Sequence, residues 1–285
     1  KIPAIILQPK VQDIVIPKTV IMVHGSGDAQ FDKIVCEIAE HHYAASGLPR
    51  LHEKNSIQIT CKKVGDSIGA GGVTTFNFVR DSSGEVQVIG FKQTIQGSKE
   101  RILDSVIPHE IQHILNALHF RESLPRWADE GIAGLTEHES EINRLYLTLM
   151  NMMKTNKGKL PYSIPYLMGI MQYPENMHDI KILYSEGTML TQFLKYRMEK
   201  KLGVQNTKKT PLWERNENKI LAFANELKHG SPEYHRDNYL NKIKTVSITT
   251  DAVNNALSRY KSTFGISNIN ELEREFYKWL NNGRK

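Results

Sequence analysis

The pattern of hydrophobic and polar positions changes along the chain. Up to about residue 97, short apolar runs alternate with one segment, residues 28–45, in which apolar positions recur at spacings of three and four. Such spacing is typical of an amphipathic helix, whereas the short runs are typical of strands. The pattern therefore predicts one helix among several strands, and the strands fall at residues 14–16, 20–23, 56–64, 72–80 and 85–94.

From residue 98 onward the apolar spacing is almost wholly helical. It predicts helices over residues 98–119, 125–138, 140–155, 179–202, 213–229, 233–245, 250–264 and 268–282. Gly203 and Gly265 stand where C-terminal helix caps belong. The predicted fold class is α+β, with an N-terminal α/β lobe that contains a small mixed sheet and a mainly helical C-terminal lobe. We expect the lobes to cover residues 1–124 and 125–285.

Composition narrows the class of protein only a little. The chain has 285 residues, of which 40% are hydrophobic and 24% are charged, a balance typical of a globular protein with about two lobes. Its net charge of +6 is small for this length, and its basic stretch at 195–209 has few aromatic residues, so nucleic acid is not an expected partner. No apolar run reaches the roughly 18 residues of a membrane span. Cys36 and Cys61 are the only cysteines, and they are compatible with one disulfide or with two free thiols.

The segment with the clearest chemistry is His109-Glu110-Ile111-Gln112-His113, an H-E-x-x-H sequence. Positions i and i+4 of a helix lie on one face, so the two imidazoles can approach a single ion at about 2.0–2.1 Å, the Zn–N distance. Glu110 is rotated by about 100° from His109 and can flank the same ion without binding it. The sequence therefore predicts a zinc site in which Glu110 accepts a proton from water.

A catalytic zinc site takes three protein ligands and leaves one position open. We predict Glu130 as the third ligand, because the sixteen residues between it and His113 let the first helix end, turn at 120–124 and return as a second helix. His119 and His138 are the alternatives. His119 lies on the wrong face of the first helix, and His138, two turns beyond Glu130, is expected to be exposed.

Two features of these helices bear on how they pack. Pro108 lies inside the first helix, and because proline has no N–H, the hydrogen bond to the Asp104 carbonyl is lost. We therefore expect a kink just before His109. In the second helix Gly131 and Ala133 are expected to permit close packing on the first. The apolar stripe of the first helix indicates that it is buried, and it consists of Ile102, Leu103, Val106, Ile107, Ile114, Leu115 and Leu118.

Two motifs together resemble a known family. They are Pro108-His109-Glu110-Ile111-Gln112-His113 and Leu124-Pro125-Arg126-Trp127-Ala128-Asp129-Glu130-Gly131-Ile132-Ala133. This pair is similar to that of the gluzincin-type zinc metallopeptidases of the peptidase MA-like superfamily, in particular bacterial proteins with PHExxH and LPRWxxEGxA motifs. The resemblance is specific over residues 98–138 and looser over 56–97. It implies a zincin-like, bilobal architecture with the active-site helix between the lobes.

The resemblance also implies a function. It implies one zinc ion (Zn²⁺) per chain held by His109, His113 and Glu130, with Glu110 as the general base in the hydrolysis of a peptide or protein substrate. We nominate Tyr184 as the donor to the oxyanion, although a core aromatic residue fits the same position. Together with the non-methionine start of the chain, the family favours an extracytoplasmic or secreted location.

Three further expectations concern the surroundings of the site. The substrate is expected to lie extended along an edge strand at about 85–93, adding itself to the sheet. Thermolysin-like members of the family have an acidic residue four positions after the third ligand, where this chain has Gly134. The partner of a ligand histidine must therefore come from elsewhere, and Asp129 and Asn116 are the candidates.

Two alternatives remain open at this stage. The first is a catalytically silent zinc-binding protein of the same fold that binds a protein or glycan partner. Only an enzyme would lose turnover in chelator and regain it with zinc. The second is a metal-free helical interaction module, which a zinc content far below one per chain would favour.

Overall fold

The computed structural model describes residues 20–65, 68–203, 219–228 and 248–284. Over these residues the protein is a mixed α+β structure in which helices predominate over one small sheet. The predicted strands at 20–23, 56–64, 72–80 and 85–94 are confirmed, and the strand predicted at 14–16 lies outside the described residues. The observed strands are β1 (Ile21–His24), β2 (Ile57–Lys63), β3 (Gly71–Arg80) and β4 (Val86–Gly97).

The four strands form one sheet in the order β1-β2-β4-β3. β2 pairs in parallel with both β1 and β4, and β3 pairs antiparallel with β4. The expectation that residues 85–93 form an edge strand is therefore wrong, because β4 lies between β2 and β3. The physical reason is apolar content: Phe91 and Ile95 of β4 are fully buried, whereas the inward positions of β3 are only partly buried. β3 is one edge strand of the described sheet, and β1 is the other.

The helices follow the predicted pattern with several differences in their bounds. Their bounds are α1 (Ala29–Ala45), α2 (Lys99–Arg101), α3 (Ile107–Phe120), α4 (Arg126–Gly134), α5 (Glu139–Thr155), α6 (Ile164–Met168), α7 (Met177–Leu202), α8 (Lys219–Lys228), α9 (Thr250–Arg259), α10 (Lys261–Phe264) and α11 (Ile269–Asn281). A short 3₁₀ helix at Glu53–Asn55 and α6 were not predicted. The helix predicted at 233–245 and the start of the one predicted at 213–229 lie outside the described residues.

Helix ends explain the main differences from the predicted bounds. The helix predicted over 125–138 ends at Gly134, and His138 instead caps α5, where its ring accepts a hydrogen bond from the backbone N–H of Ser140. The helix predicted over 250–264 is interrupted at Tyr260. Gly203 and Gly265 follow their helices with φ values of 64° and 65°, which confirms both predicted caps.

A π turn precedes His109, and the kink expected there stays a prediction. Residues Ile102–Val106 are π-helical between α2 and α3, and the N–H of Ile107 donates to the carbonyl of Ile102, five residues earlier. Pro108 is the second residue of α3, directly after this π turn. π turns occur frequently at functional sites.

The buried hydrophobic side chains form two clusters. One joins the sheet to α1 and α3 and runs from Ile21 to Ala117. The other joins the helices from α4 onward and runs from Leu124 to Leu280. Because α3 belongs to the first cluster and α4 to the second, the contact between α3 and α4 is where the clusters meet. The division into domains at residues 124 and 125 stays a prediction.

Two other expectations concern the cysteines and the membrane. Cys36 and Cys61 are not joined in a disulfide, and burial raises the pKa of Cys61 to about 11. The Sγ atom of Cys36 donates to the carbonyl of Ile21 over 3.4 Å. Among the helices that the structure describes, none combines the length and the apolar character needed to cross a bilayer.

Candidate metal centre

Two neighbouring helices bring the three predicted ligands together. His109 and His113 lie one turn apart on α3, with their ring centroids 4.8 Å apart. Glu130 of α4 faces both rings: its Oε2 atom lies 3.2 Å from Nε2 of His109 and 3.7 Å from Nε2 of His113. All three residues are buried, and Glu130 is fully so. One ligand atom from each residue lies within 4.8 Å of those from the other two.

These separations suit a metal ion. Two ligands placed tetrahedrally around an ion at 2.0–2.1 Å are about 3.4 Å apart. The distances from Glu130 to the two histidines lie on either side of this value. Imidazole and carboxylate donors bind several divalent metals. The buried group of His109, His113 and Glu130 could therefore hold a metal ion.

A residue that the sequence analysis missed orients His109. Glu137 lies between α4 and α5, and its Oε1 atom is 2.7 Å from Nδ1 of His109. Because an ionised carboxylate only accepts, the proton lies on Nδ1, and Nε2 is the atom directed at Glu130. The only sequence signal was an acidic residue seven positions after Glu130, in a segment predicted to be helical.

His113 is oriented by one of the two predicted partners. Its Nδ1 atom lies 3.1 Å from Oδ2 of Asp129. Asn116 contacts Asp129 rather than a histidine, since its Nδ2 donates to Oδ1 of Asp129 over 2.9 Å. Arg126 donates to Oδ2 over 3.1 Å, and Gln112 donates to the amide oxygen of Asn116 over 2.8 Å. The carboxylate of Asp129 is therefore fixed from several directions.

The electrostatics of the centre favour a cation. Burial alone would lower the pKa of His109, but hydrogen bonds to Glu130 and Glu137 outweigh burial and hold the pKa well above its usual value. The pKa of His113 is raised because Asp129 and Glu130 likewise outweigh burial. Burial alone would raise the pKa of Asp129 and Glu130, but the nearby His113 contributes most to lowering both values below their usual range. Three carboxylates thus surround two imidazoles, an excess of negative charge that a bound cation would offset.

Glu110 lies beside the metal-binding group and not within it. It is 4% exposed, and Oγ1 of Thr74 donates a short hydrogen bond to its Oε2 atom. A Cβ atom at Gly72 would lie 2.5–2.6 Å from the Glu110 side chain, so only glycine lets β3 approach this closely. Glu110 and His113 both line a cavity of about 410 Å³, which also has residues 72–76 of β3 in its wall.

Two tyrosines line the same cavity. Tyr184 of α7 has its ring centroid 6.3 Å from that of His109 and 6.5 Å from that of Tyr173. Tyr173 donates a short hydrogen bond to Oε1 of Glu130, and the Arg126 guanidinium lies 4.6 Å from its ring. The pKa of both tyrosines is raised, mainly by burial and secondly by the negative charge of Glu130. Both hydroxyls are therefore protonated donors at neutral pH. Tyr173 was not predicted from the sequence, because it precedes α7 in an irregular segment.

The glycines of α4 pack on a different helix from the one expected. A Cβ atom at Gly131 would overlap the Thr191 side chain and lie 2.8 Å from the carbonyl oxygen of Gly187, both on α7. A Cβ atom at Gly134 would lie 2.7 Å from Oγ1 of Thr188, also on α7. Position 134 therefore has no room for the acidic side chain of the thermolysin-like pattern. Gly131 permits close packing of α4 on α7, not on α3 as expected.

The alternative ligands are not part of the centre. His119 is exposed near the end of α3, and His138 caps α5. The metal-binding group found among the described residues contains neither of them.

Comparisons with known proteins identify no related protein. No protein-family model matches the sequence, and neither the curated proteins nor the solved structures give a significant match. The gluzincin resemblance therefore stays a prediction that rests on two motifs. Arguments about function depend on the geometry of the site.

Proposed function

We propose that this protein is a zinc-dependent peptidase of zincin-like, bilobal architecture that hydrolyses peptide bonds in peptide or protein substrates. One observation carries the proposal. Nε2 of His109, Nε2 of His113 and Oε2 of Glu130 converge on one point, while a second glutamate, Glu110, lies outside this group on the wall of the adjoining cavity. A metal-binding protein without activity has no need of that second carboxylate. The gluzincin resemblance and the extracytoplasmic or secreted location belong to the same proposal.

His109, His113 and Glu130 would hold the zinc ion, one per chain. When bound, zinc supplies Lewis acidity, which polarises a carbonyl group and lowers the pKa of water to about 7. Two imidazoles and one carboxylate form a donor set typical of catalytic zinc sites with an open fourth position. The orienting contacts from Glu137 and Asp129 are of the kind that ligand histidines make in such sites.

Two residues of the chain move or hold protons in this proposal. The carboxylate of Glu110 accepts the proton of the attacking water and then delivers it to the leaving amine, which is general acid–base catalysis by one group. The hydroxyl of Tyr184 donates to the oxygen of the scissile carbonyl as negative charge develops there. The position of Tyr184 supports this role, because its ring centroid lies 6.3 Å from that of His109 and it lines the same cavity as Glu110.

The substrate would bind along β3, and not along the strand at 85–93 that the sequence suggested. β3 is an edge strand of the described sheet, and, unlike the other edge strand β1, it shares the cavity with Glu110 through its residues 72–76. An extended peptide can add itself to such an edge through main-chain hydrogen bonds. The scissile bond would then lie between β3 and the tyrosines of the opposite wall.

A peptide-library cleavage assay tests the proposal. We expect the zinc-loaded wild type to cleave, to lose turnover in chelator and to regain it with zinc. Glu110→Gln should retain one zinc per chain and lose at least a hundredfold in kcat. Glu100→Gln, an exposed position on α2, serves as the matched control and should cleave at the wild-type rate.

Two outcomes would contradict the proposal. Cleavage by Glu110→Gln at the wild-type rate would remove its general base. A wild type that binds one zinc per chain and cleaves nothing in the library would instead be the silent zinc-binding protein.

A further inference from the structure

Thr74 and Gln93 form a cross-strand pair beside Glu110. They lie directly opposite each other in the β3–β4 register. Gln93 is 1% exposed and occupies an inward position of β4 between Phe91 and Ile95, which are fully buried. A glutamine therefore replaces an apolar side chain in the buried row of this strand.

Hydrogen bonds connect this pair to Glu110 with a fixed direction. Nε2 of Gln93 donates to Oγ1 of Thr74 over 3.1 Å. An amide nitrogen can only donate, so the single hydroxyl proton of Thr74 is left for another acceptor. Two acceptors of Glu110 lie within reach, its backbone carbonyl oxygen at 3.3 Å and its Oε2 atom, and the contact to Oε2 is the shorter. Gln93 thus directs the hydroxyl of Thr74 towards Glu110.

We propose that Thr74 and Gln93 are positioning residues that hold the Glu110 carboxylate on the cavity wall, separate from the three metal ligands. The inference rests on the proposed function, in which Glu110 is the general base. Without the hydroxyl of Thr74, the Glu110 side chain would be free to rotate away from the attacking water. The rate of the chemical step would fall, while substrate binding and metal binding would persist.

Two observations argue against a purely structural role for the pair. Oε1 of the buried Gln93 has no hydrogen-bond partner among the described residues, which costs stability that an apolar side chain would not. The neighbouring inward position on β3 is Gly72, where any side chain would collide with Glu110. Three inward positions of one hairpin, Gly72, Thr74 and Gln93, are therefore adapted to one carboxylate.

The first test compares two substitutions of Thr74. Thr74→Val keeps the shape of the side chain and removes the hydroxyl, whereas Thr74→Ser keeps the hydroxyl. With a peptide that the wild type cleaves, we expect Thr74→Val to lower kcat at least tenfold, with KM within about twofold and one zinc per chain. Thr74→Ser should stay within about threefold of the wild type. Thr94→Val, on the exposed face of β4, is the control and should leave kcat unchanged.

The second test uses Gln93→Glu, which remains informative if Thr74→Val does not fold. Above the pKa of the introduced carboxyl, the carboxylate at position 93 accepts the proton of Thr74, so Glu110 loses its donor and kcat should again fall at least tenfold. Below that pKa the protonated group donates as Gln93 does, and kcat should be kept. The inference is overturned if Thr74→Val, or Gln93→Glu at the higher pH, folds, binds zinc and retains wild-type kcat, or if both raise KM and lower kcat alike. If the wild type cleaves nothing, the proposed function fails and this inference fails with it. A different result would overturn this inference alone. In that case the wild type cleaves, Glu110→Gln abolishes cleavage, and Thr74→Val leaves kcat unchanged.

Discussion

The Nδ1 atom of His109 lies 2.7 Å from Oε1 of Glu137, a residue that follows α4 after its last turn. Position 134, within α4, is occupied by glycine, and a Cβ atom there would lie 2.7 Å from Oγ1 of Thr188 on α7. The carboxylate that orients His109 therefore comes from the loop after α4 and not from the helix itself.

Glu137→Ala should weaken metal binding. Removing the carboxylate frees the imidazole of His109 to rotate, and losses of about 10- to 100-fold in affinity are usual for such partners. Competition with a chromophoric chelator measures the zinc affinity. Glu137→Gln keeps an acceptor oxygen and should lose less than Glu137→Ala. Equal affinity in the wild type and Glu137→Ala would show that this contact does not orient a ligand.

Tyr184→Phe should lower kcat and leave the metal in place. A single donor to a developing oxyanion is worth about 10²–10³ in kcat, and the loss here should fall in or just below that range. Tyr173→Phe is the matched comparison, because its hydroxyl contacts the ligand Glu130 and should affect zinc affinity first. Steady-state kinetics and zinc affinity, measured on both variants, separate the two roles. If Tyr184→Phe keeps wild-type kcat, the tyrosine is only a packing residue.

Gly131→Ala should destabilise the protein. The added methyl group would meet the Thr191 side chain and the Gly187 carbonyl on α7, and overpacking of this kind costs about 1–3 kcal/mol. Urea unfolding measures the loss. Gly71→Ala is a suitable control, since a Cβ atom there has no atom within 4 Å. A change in stability no larger than that of the control would contradict the close packing of α4 on α7.

Glu186 should make stability depend on pH. The residue is fully buried on α7, and burial raises its pKa to about 8, so its carboxyl is neutral in the folded protein below that pH. In the unfolded chain it ionises near its ordinary value of 4.5. The contribution of Glu186 to the free energy of unfolding is therefore complete below pH 4.5, and it is lost as the pH rises towards 8.

Glu186→Gln removes that dependence. Relative to the wild type, the variant should gain stability between pH 5 and pH 9, by at most about 5 kcal/mol, because each pKa unit corresponds to about 1.36 kcal/mol. Chemical denaturation at the two pH values provides the comparison. A stability difference that does not change with pH would show that Glu186 is not buried as a neutral acid.

The parts of the site that follow from local periodicity could be predicted from the sequence. The spacing of His109 and His113 places both rings on one helix face regardless of the rest of the fold. The position of Glu130 followed from the length of chain needed for a returning helix. The histidine pair depends only on helix geometry, which neighbouring elements change little, whereas the approach of Glu130 also required α4 to pack against α3.

The other features of the fold and the site depend on tertiary packing, which local sequence patterns do not determine. The hairpin loop indicates that β3 and β4 pair, but not which of them lies beside β2, and this choice decides which strand is the edge. Glu137 and Tyr173 reach the centre from irregular segments, for which no period exists to place a side chain. Gln93 carried a readable signal, a polar residue in an apolar row, but its meaning required the position of Thr74.

The central claim is that His109, His113 and Glu130 together hold one zinc ion. Equilibrium dialysis against zinc, followed by metal analysis, measures the zinc content per chain for the wild type and for His113→Ala. We expect one zinc per chain in the wild type and a content near zero in a folded His113→Ala. A wild-type content far below one, or an undiminished content in His113→Ala, would contradict it.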